Sequence, residues 1–428
     1  MTKSYWLYNW LDSNEIISTE DAGKALENLK KSNSLRELAG SYSEEPLQSP
    51  ERSLLAGKGI DFSGDLDCRG LECREKQVDE LFRRAWHYFD VLIVADPFRH
   101  AVAHHWNTPQ SLSNEWFLSY IHTLLYLRKI GAESLVVFRE KPPACHDHWE
   151  KHASEIGLGQ LAEKIGPLAK ILSEESDFGF EDRTDGGVDY SFSHPNLEHT
   201  QWGELHPSED IKKSLPDLKL AVVISKITEE FIPHLTSDIQ AAGTAKAPLG
   251  SVVWLHKELL RSMTKKPAIP QVAFELKLPV VDQIPISLLL NLRKDRRPAF
   301  DRFRNRLELA IKEYLRIAPD KDASQIGYQI QMDIIEPELS EIGMQLKQAE
   351  RLLLKKAATG VFYGAFITTV GLLTGYPNLG PTALVATGGT ALTKWVEDID
   401  KISMSNMYFL WEAVGHAQPR KPVPTPVP

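Results

Sequence analysis

The sequence predicts an α/β protein with a mainly parallel sheet in its N-terminal half and a largely helical C-terminal domain. Two short apolar runs, Val91–Ala95 and Ser134–Phe138, have the length of buried strands. The segment Trp116–Leu127 between them has the apolar character of a helix and ends at Gly131. Buried strands that alternate with helices are typical of a parallel sheet covered on both faces.

The chain has 428 residues, of which 42% are hydrophobic and 25% are charged. This size and composition predict a packed protein of two or three domains. The sequence pattern changes after Pro267. The proline-containing segment 277–285 is extended and suits a connection between domains. We therefore expect an N-terminal extension of short helices and loop (1–60), an α/β domain (61–270), a helical domain with a glycine-rich hairpin (271–415) and a disordered proline-rich tail (416–428).

Further elements follow from the spacing of apolar residues. Val78, Leu81, Phe82, Ala85 and Phe89 recur at helical spacing just before the first strand. Further strands are predicted at Val188–Ser193, Leu218–Ser225 and Ser251–His256. The sheet would then have four or more members.

Charge and cysteine content narrow the functional classes. The formal net charge of −9 opposes binding to a polyanion, so the composition argues against general nucleic-acid binding. Three cysteines cannot form a disulfide framework and fit a reducing compartment. No long apolar run precedes Asp12 and Glu15, as a signal peptide would require. We therefore expect a cytoplasmic protein.

Two histidine-rich segments follow the first two predicted strands. After the first strand come Asp96, His100 and His104, and the two histidines are spaced i,i+4 on one helix face. After the second come Cys145, His146 and His148. Because loops at the carboxyl ends of parallel strands gather at one edge of the sheet, these side chains could bind a divalent metal together.

Such a metal could activate water, so one hypothesis is a metal-dependent hydrolase with Asp147 or Glu150 as proton carrier. The pattern His-Glu-x-x-His is not met, because position 101 is alanine. The alternative is that these residues form a polar surface loop. The pair Cys68 and Cys73 could form half of a zinc site, and the alternative is that they are ordinary reduced cysteines. The segment from His194 to His206 could supply the missing carboxylate, and the alternative is a surface loop.

The most basic segment of the chain predicts a helix that starts at Pro298. It would bury Phe300, Phe303, Leu307, Ile311 and Tyr314 on one face. The arginines on its other side could bind an anion, an acidic partner or a nucleic acid; they are Arg296, Arg297, Arg302 and Arg306. The alternative is a solvated face whose charge is balanced by neighbouring carboxylates.

An uncharged stretch, 357–393, predicts a helical hairpin rich in glycine. Its small residues would let two helices approach closely, either in a soluble bundle or at a membrane surface. The alternatives to a buried soluble hairpin are conditional insertion into a membrane and an oligomer interface for self-association. The second half is too short to span a bilayer.

Two segments resemble sequences found in uncharacterised bacterial proteins. The first runs from Leu278 to Leu307 and combines the proline-rich connection with the arginine-rich helix, and the second is Arg83–Asp90. The resemblance implies a bacterial source and carries no activity.

These observations favour a cytoplasmic bacterial interaction or effector protein. In this hypothesis the α/β domain binds a ligand or metal and the helical domain docks on a partner, on a second copy or on a membrane surface. The metal-dependent hydrolase and a nucleic-acid binder that uses the arginine-rich helix are the two alternatives.

Overall fold

The computed structural model describes residues 5–29, 52–62, 70–96, 114–141, 149–155, 161–197, 199–263, 266–278, 282, 284–357, 405, 407–410 and 413. These residues form two compact units. The N-terminal unit contains the described residues up to Glu275 together with Pro319–Ser324. The C-terminal unit contains those of Leu276–Ala318 and those from Gln325 onward.

The fold class predicted from the sequence is confirmed: a parallel four-stranded sheet lies in the N-terminal half, and helices follow it. The strands of the N-terminal unit are β1 (Ser53–Ala56), β2 (Val91–Ala95), β3 (Val136–Arg139), β4 (Asp177–Asp182), β5 (Val188–Ser193), β6 (Gln201–Leu205) and β7 (Leu249–Gly250). Its helices are α1 (Trp6–Ser13), α2 (Thr19–Leu29), α3 (Leu71–Ala85), α4 (Asn114–Lys129), α5 (Trp149–Glu155), α6 (Leu161–Glu175), α7 (Glu209–Lys212), α8 (Leu215–Lys226), α9 (Ile232–Ala245), α10 (Trp254–Met263) and α11 (Ile269–Glu275).

The parallel sheet has the strand order β3-β2-β1-β7. Leu55 of β1 pairs with Ile93 of β2 on one side and with Leu249 of β7 on the other. Ile93 in turn pairs with Val137 of β3. Because all four strands run in the same direction, their carboxyl ends lie along one edge of the sheet.

Strand β1 corrects the sequence analysis, which assigned its residues to a region of short helices and loop. All four residues of β1 are buried, and the strand lies between β2 and β7 in the sheet. A four-residue strand buried on both faces has no alternation of polar and apolar residues, so periodicity could not reveal it.

The segment Val188–Ser193 is a strand, as predicted, but it lies in a separate antiparallel sheet of order β4-β5-β6. Val188, Tyr190 and Phe192 are buried and alternate with more exposed residues. This period of two is that of an antiparallel strand with one covered face.

Two other predicted strands are wrong. Leu218–Ser225 belongs to helix α8, in which Leu218, Val222 and Val223 are buried at helical spacing. For Ser251–His256, the strand is the short β7 that precedes it, and helix α10 begins at Trp254. Both segments are rich in β-branched residues, which locally favour a strand. Burial of one helix face outweighed this preference for a strand.

The described helices from Ile286 onward are α12 (Ile286–Asp295), α13 (Arg297–Ile317), α14 (Ala323–Ile330) and α15 (Glu336–Ala357). Helix α13 is the predicted basic helix, and it buries Phe300, Phe303, Leu307 and Ile311. Tyr314 is only partly buried, and its hydroxyl donates a hydrogen bond to Asp333. The predicted hairpin 357–393 and the proline-rich tail lie outside the described residues, apart from Ala357 at the end of α15.

No helix within the described ranges is long and apolar enough to cross a membrane.

Candidate functional site

The carboxyl ends of the parallel strands bring several charged side chains together. Gly57–Asp61 follow β1, Asp96 follows β2, Lys141 lies two residues after β3 and Ser251 follows β7. Helix α9 packs beside β1 and adds His234 and Asp238, which are spaced i,i+4. In open parallel sheets this edge is where ligands bind.

A buried ion-pair network forms the centre of this edge. The Lys141 ammonium forms an ion pair with Asp238, and its Nζ lies 3.8 Å from Oδ2 of Asp61. Only 20% of the Lys141 side chain is exposed, and both carboxylates are buried. Burial by itself lowers the pKa of Lys141, but the two carboxylates outweigh it and the pKa stands above its usual value. Lys141 therefore carries a fixed positive charge at neutral pH.

The turn after β1 is held tightly against this network. The backbone N–H of Lys58 donates a 2.9 Å hydrogen bond to Oδ2 of Asp238, and that of Gly57 donates a 2.8 Å bond to the carbonyl of Gly250. A Cβ atom on Gly57 would lie 2.8 Å from that carbonyl oxygen, so only glycine fits there. Gly59 has a φ of +95°, which also favours glycine.

Two histidines near the network are neutral at pH 7. Burial and the nearby charges of Lys58 and Lys141 lower the pKa of His234 to about 4. Burial likewise lowers the pKa of His256 to about 4. The Nε2–H of His256 donates to the carbonyl of Phe231, while its Nδ1 has no partner among the described residues. The edge thus combines a fixed ammonium with neutral imidazoles.

Asp96 lies at this edge and is held by the N-terminal helix α1. Trp6 donates a hydrogen bond from Nε1 to Oδ2 of Asp96. Burial, followed by the charge of Asp96, raises the pKa of Tyr5. Asp96 therefore links the N-terminal residues to the sheet.

Beside the end of β7 lies a cleft of about 470 Å³, which we call the β7 cleft. This volume is within the range of small-molecule sites. Its walls are the exit of β7, one face of α10, the end of α11 and the segment Pro319–Ser324, all in the N-terminal unit. Leu249, Val252, Leu260 and Phe274 give it an apolar part.

Helix α10 presents one continuous face to the β7 cleft. Trp254, Lys257, Glu258 and Arg261 all line it, at the i, i+3, i+4 and i+7 spacing of one helix stripe. Lys257 forms an ion pair of 2.9 Å with Glu275 of α11. Arg261 lies 3.5 Å from a carboxylate oxygen of Asp322, in the segment on another wall.

Two buried side chains contribute to the β7 cleft, one through its contact with Trp254 and one as part of the lining. The ring of His194 stacks on that of Trp254 with their centroids 5.4 Å apart, which fixes the indole. Ser251 lines the cleft and is only 4% exposed, and its hydroxyl has no hydrogen-bond partner among the described residues. A buried hydroxyl without a partner is uncommon in proteins, and a bound molecule can supply one.

Of the predicted metal ligands, only Asp96 lies among the described residues. The others do not; they are His100, His104, Cys145, His146 and His148. Within the described ranges, no three His, Cys, Asp or Glu side chains form a group that could hold a metal ion. Of the predicted zinc half-site, Cys73 lies exposed on α3 and Cys68 is outside the described residues.

The arginines of the predicted anion site lie in the C-terminal unit. Arg306 forms an ion pair of 3.0 Å with Glu338, and Arg297 forms one of 3.1 Å with Asp301. Arg296 is exposed and Arg302 is partly buried. The two ion pairs are those expected of a helix surface whose charge is balanced by carboxylates.

The sequence analysis missed the residues at the centre of the edge. Lys58 lies in a Gly-Lys-Gly sequence directly after an apolar run, which is a signal for a turn after a strand. Lys141 comes three residues after the second predicted strand, and His234 and Asp238 have i,i+4 spacing. Ser251 was missed because it was placed inside a predicted strand, Ser251–His256. In the structure it lies between the end of β7 and the start of α10.

Comparison of the chain with protein-family models, with curated proteins and with solved structures found no match.

Proposed function

We propose that the N-terminal unit is a ligand-binding domain that takes a small organic molecule into the β7 cleft. The observation that carries this proposal is the cleft itself, a cavity of about 470 Å³ at the carboxyl end of a parallel strand. Its position is the usual one for ligands in such folds. Its lining combines an apolar and aromatic part, which ligand sites commonly have, with charged groups on α10, α11 and the segment Pro319–Ser324.

The ion-pair network supports the proposal by holding the neighbouring turn in place. Gly59 approaches Val252 of the cleft wall so closely that a Cβ atom on it would lie 2.8 Å from Cγ2 of Val252. Lys141 and Asp238 anchor the same turn through the backbone of Lys58. A rigid wall lowers the entropy that a ligand must lose to bind.

Native mass spectrometry of the purified full-length chain, and thermal-shift screening against nucleotides, sugar phosphates, amino acids and short peptides, test this proposal. Trp254→Ala opens the cleft, and Trp202→Ala is the matched control because Trp202 is exposed on β6. We expect at least one compound to raise the melting temperature of the parent and of Trp202→Ala by several degrees, but not that of Trp254→Ala. Compounds that stabilise all three proteins equally, or none that stabilises the parent, contradict the proposal.

The wider hypothesis remains a proposal from the sequence. In it the protein is a cytoplasmic effector whose C-terminal unit docks on a protein partner or on a second copy. Truncation near residue 350 should abolish such docking, as measured by co-purification, while ligand binding by the N-terminal unit persists.

A further inference from the structure

The β7 cleft has walls whose net charges differ in sign. The α10 wall carries two cations, Lys257 and Arg261, and one carboxylate, Glu258, which lies 3.5 Å from Arg261. The other walls carry the carboxylates Glu275, Asp320 and Asp322 and one cation, Lys321. The ion pairs Lys257–Glu275 and Arg261–Asp322 therefore cross the cleft between its walls.

The Arg261–Asp322 pair can be opened by a ligand at little cost, because the Arg261 side chain is 60% exposed and pairs exposed to this degree contribute little to stability. The Lys257–Glu275 pair is more buried, with side chains 34% and 11% exposed, so a ligand that opens it must supply a new partner to each of the two side chains. A ligand carboxylate could pair with Arg261 and Lys257, and a ligand ammonium could pair with Glu275 and Asp322. Each ion pair between the walls would then be replaced by two ion pairs with the ligand. A ligand with only one kind of charge would leave the other wall without a new partner.

The remainder of the cleft favours an apolar body with hydrogen-bonding groups. The fixed indole of Trp254 and the ring of Phe274 provide aromatic surface. The buried hydroxyl of Ser251 lacks a partner among the described residues and can bond to an amide group. A volume of about 470 Å³ leaves room for more than a single amino acid.

We propose that the ligand of the β7 cleft is a short peptide with both termini free and an aromatic side chain. This inference rests on the proposed function and names the class of ligand. The peptide's carboxylate lies against Lys257 and Arg261, its ammonium lies against Glu275 and Asp322, and its aromatic side chain packs on Trp254. Ser251 bonds to the peptide backbone.

Isothermal titration calorimetry of the full-length chain with phenylalanyl-leucine tests the inference. The comparison is with the same dipeptide carrying an N-acetyl group or a C-terminal amide, each of which removes one charge. We expect the free dipeptide to bind, and each blocked form to bind at least about tenfold more weakly, the effect of losing one charged hydrogen bond.

A variant then locates the carboxylate. Arg261→Met should weaken binding of the free dipeptide about fivefold. It should also reduce the loss of affinity caused by C-terminal amidation, because the carboxylate that amidation removes no longer has Arg261 as its partner. Arg297→Met is the matched control, since Arg297 is also an exposed, ion-paired helix residue but lies outside the cleft. In this control, C-terminal amidation of the dipeptide must lower its affinity by the same factor as in the parent chain.

The outcomes separate this inference from the proposed function. Blocked and free dipeptides that bind equally well overturn the assignment of a zwitterion. The peptide class is also overturned if no peptide binds while a compound of another class binds in a Trp254-dependent way, and the proposed function then stands. Absence of any Trp254-dependent ligand overturns both.

Discussion

The indole nitrogen of Trp6 lies 3.1 Å from Oδ2 of Asp96, across 90 positions of the sequence. This hydrogen bond joins the first helix of the chain to the carboxyl edge of β2. Asp96 is buried, so its carboxylate depends on such donors for its charge to be tolerated. The N-terminal helix is therefore part of the structure that positions the edge.

Trp6→Phe removes that donor and keeps most of the aromatic packing. We expect a loss of about 1.5–3 kcal/mol in the free energy of unfolding, because a buried carboxylate loses a hydrogen bond. Urea unfolding followed by circular dichroism measures it. Trp202→Phe on the exposed face of β6 is the control and should change stability by less than about 0.5 kcal/mol. Equal stability of the two variants would show that the bond to Asp96 contributes little.

Lys141→Met leaves the carboxylates of Asp61 and Asp238 buried without their shared cation. Removal of one partner of a buried ion pair costs about 3–5 kcal/mol, so we expect a loss of this size in urea unfolding. The double variant Lys141→Met, Asp238→Asn should recover part of it. Lys170→Met removes a lysine that is 71% exposed, and it should have almost no effect. A Lys141→Met protein as stable as this control would refute a structural role for the network.

The folded protein should lose stability between pH 6.5 and about 4. The pKa of His256 is about 4 in the folded protein, against about 6.5 when unfolded, so in this interval the unfolded state binds more protons. Stability contributed by neutral His256 is thus complete above pH 6.5 and declines as the pH falls, by up to about 3 kcal/mol.

The His256→Gln variant tests this dependence. Glutamine can still donate to the carbonyl of Phe231 but does not titrate, so the slope of stability against pH should become shallower over this interval. His199→Gln, at an exposed position, should leave the slope as in the parent protein. Equal slopes in all three proteins would assign the pH dependence to other groups.

Ser251→Ala should not destabilise the free protein. Its hydroxyl is buried and has no partner among the described residues, so its removal should leave the free energy of unfolding unchanged or raise it by about 1 kcal/mol. Ser173→Ala provides the contrast, because the Ser173 hydroxyl donates a 2.8 Å bond to the carbonyl of Lys170 and its loss should cost about 1 kcal/mol. A Ser251→Ala protein that is less stable than Ser173→Ala would mean that the hydroxyl already has a partner in the free protein.

The sequence by itself determined the fold class, the strand β2 and the buried stripe of α13. Val91–Ala95 is a continuous apolar run between polar segments, and the phenylalanines of α13 repeat at helical spacing, so local pattern was sufficient for both. It also placed Asp96 at the end of a strand, because a residue that follows a buried strand must lie at the edge of the sheet.

The tertiary structure alone decided the role of β1, the helical state of Leu218–Ser225 and the members of the candidate site. Short buried segments carry no period, and β-branched residues form either element according to the surface they cover. Asp61 and Lys141 are separated by 80 residues, and Trp254 and Asp322 by 68, in a sequence that does not encode which strands are neighbours. Parallel pairing of β1 with β2, and of β2 with β3, brings Asp61 and Lys141 together, because the strands that they follow end at the same edge. The segment Pro319–Ser324 belongs to the N-terminal unit and brings Asp322 to the cleft that Trp254 lines.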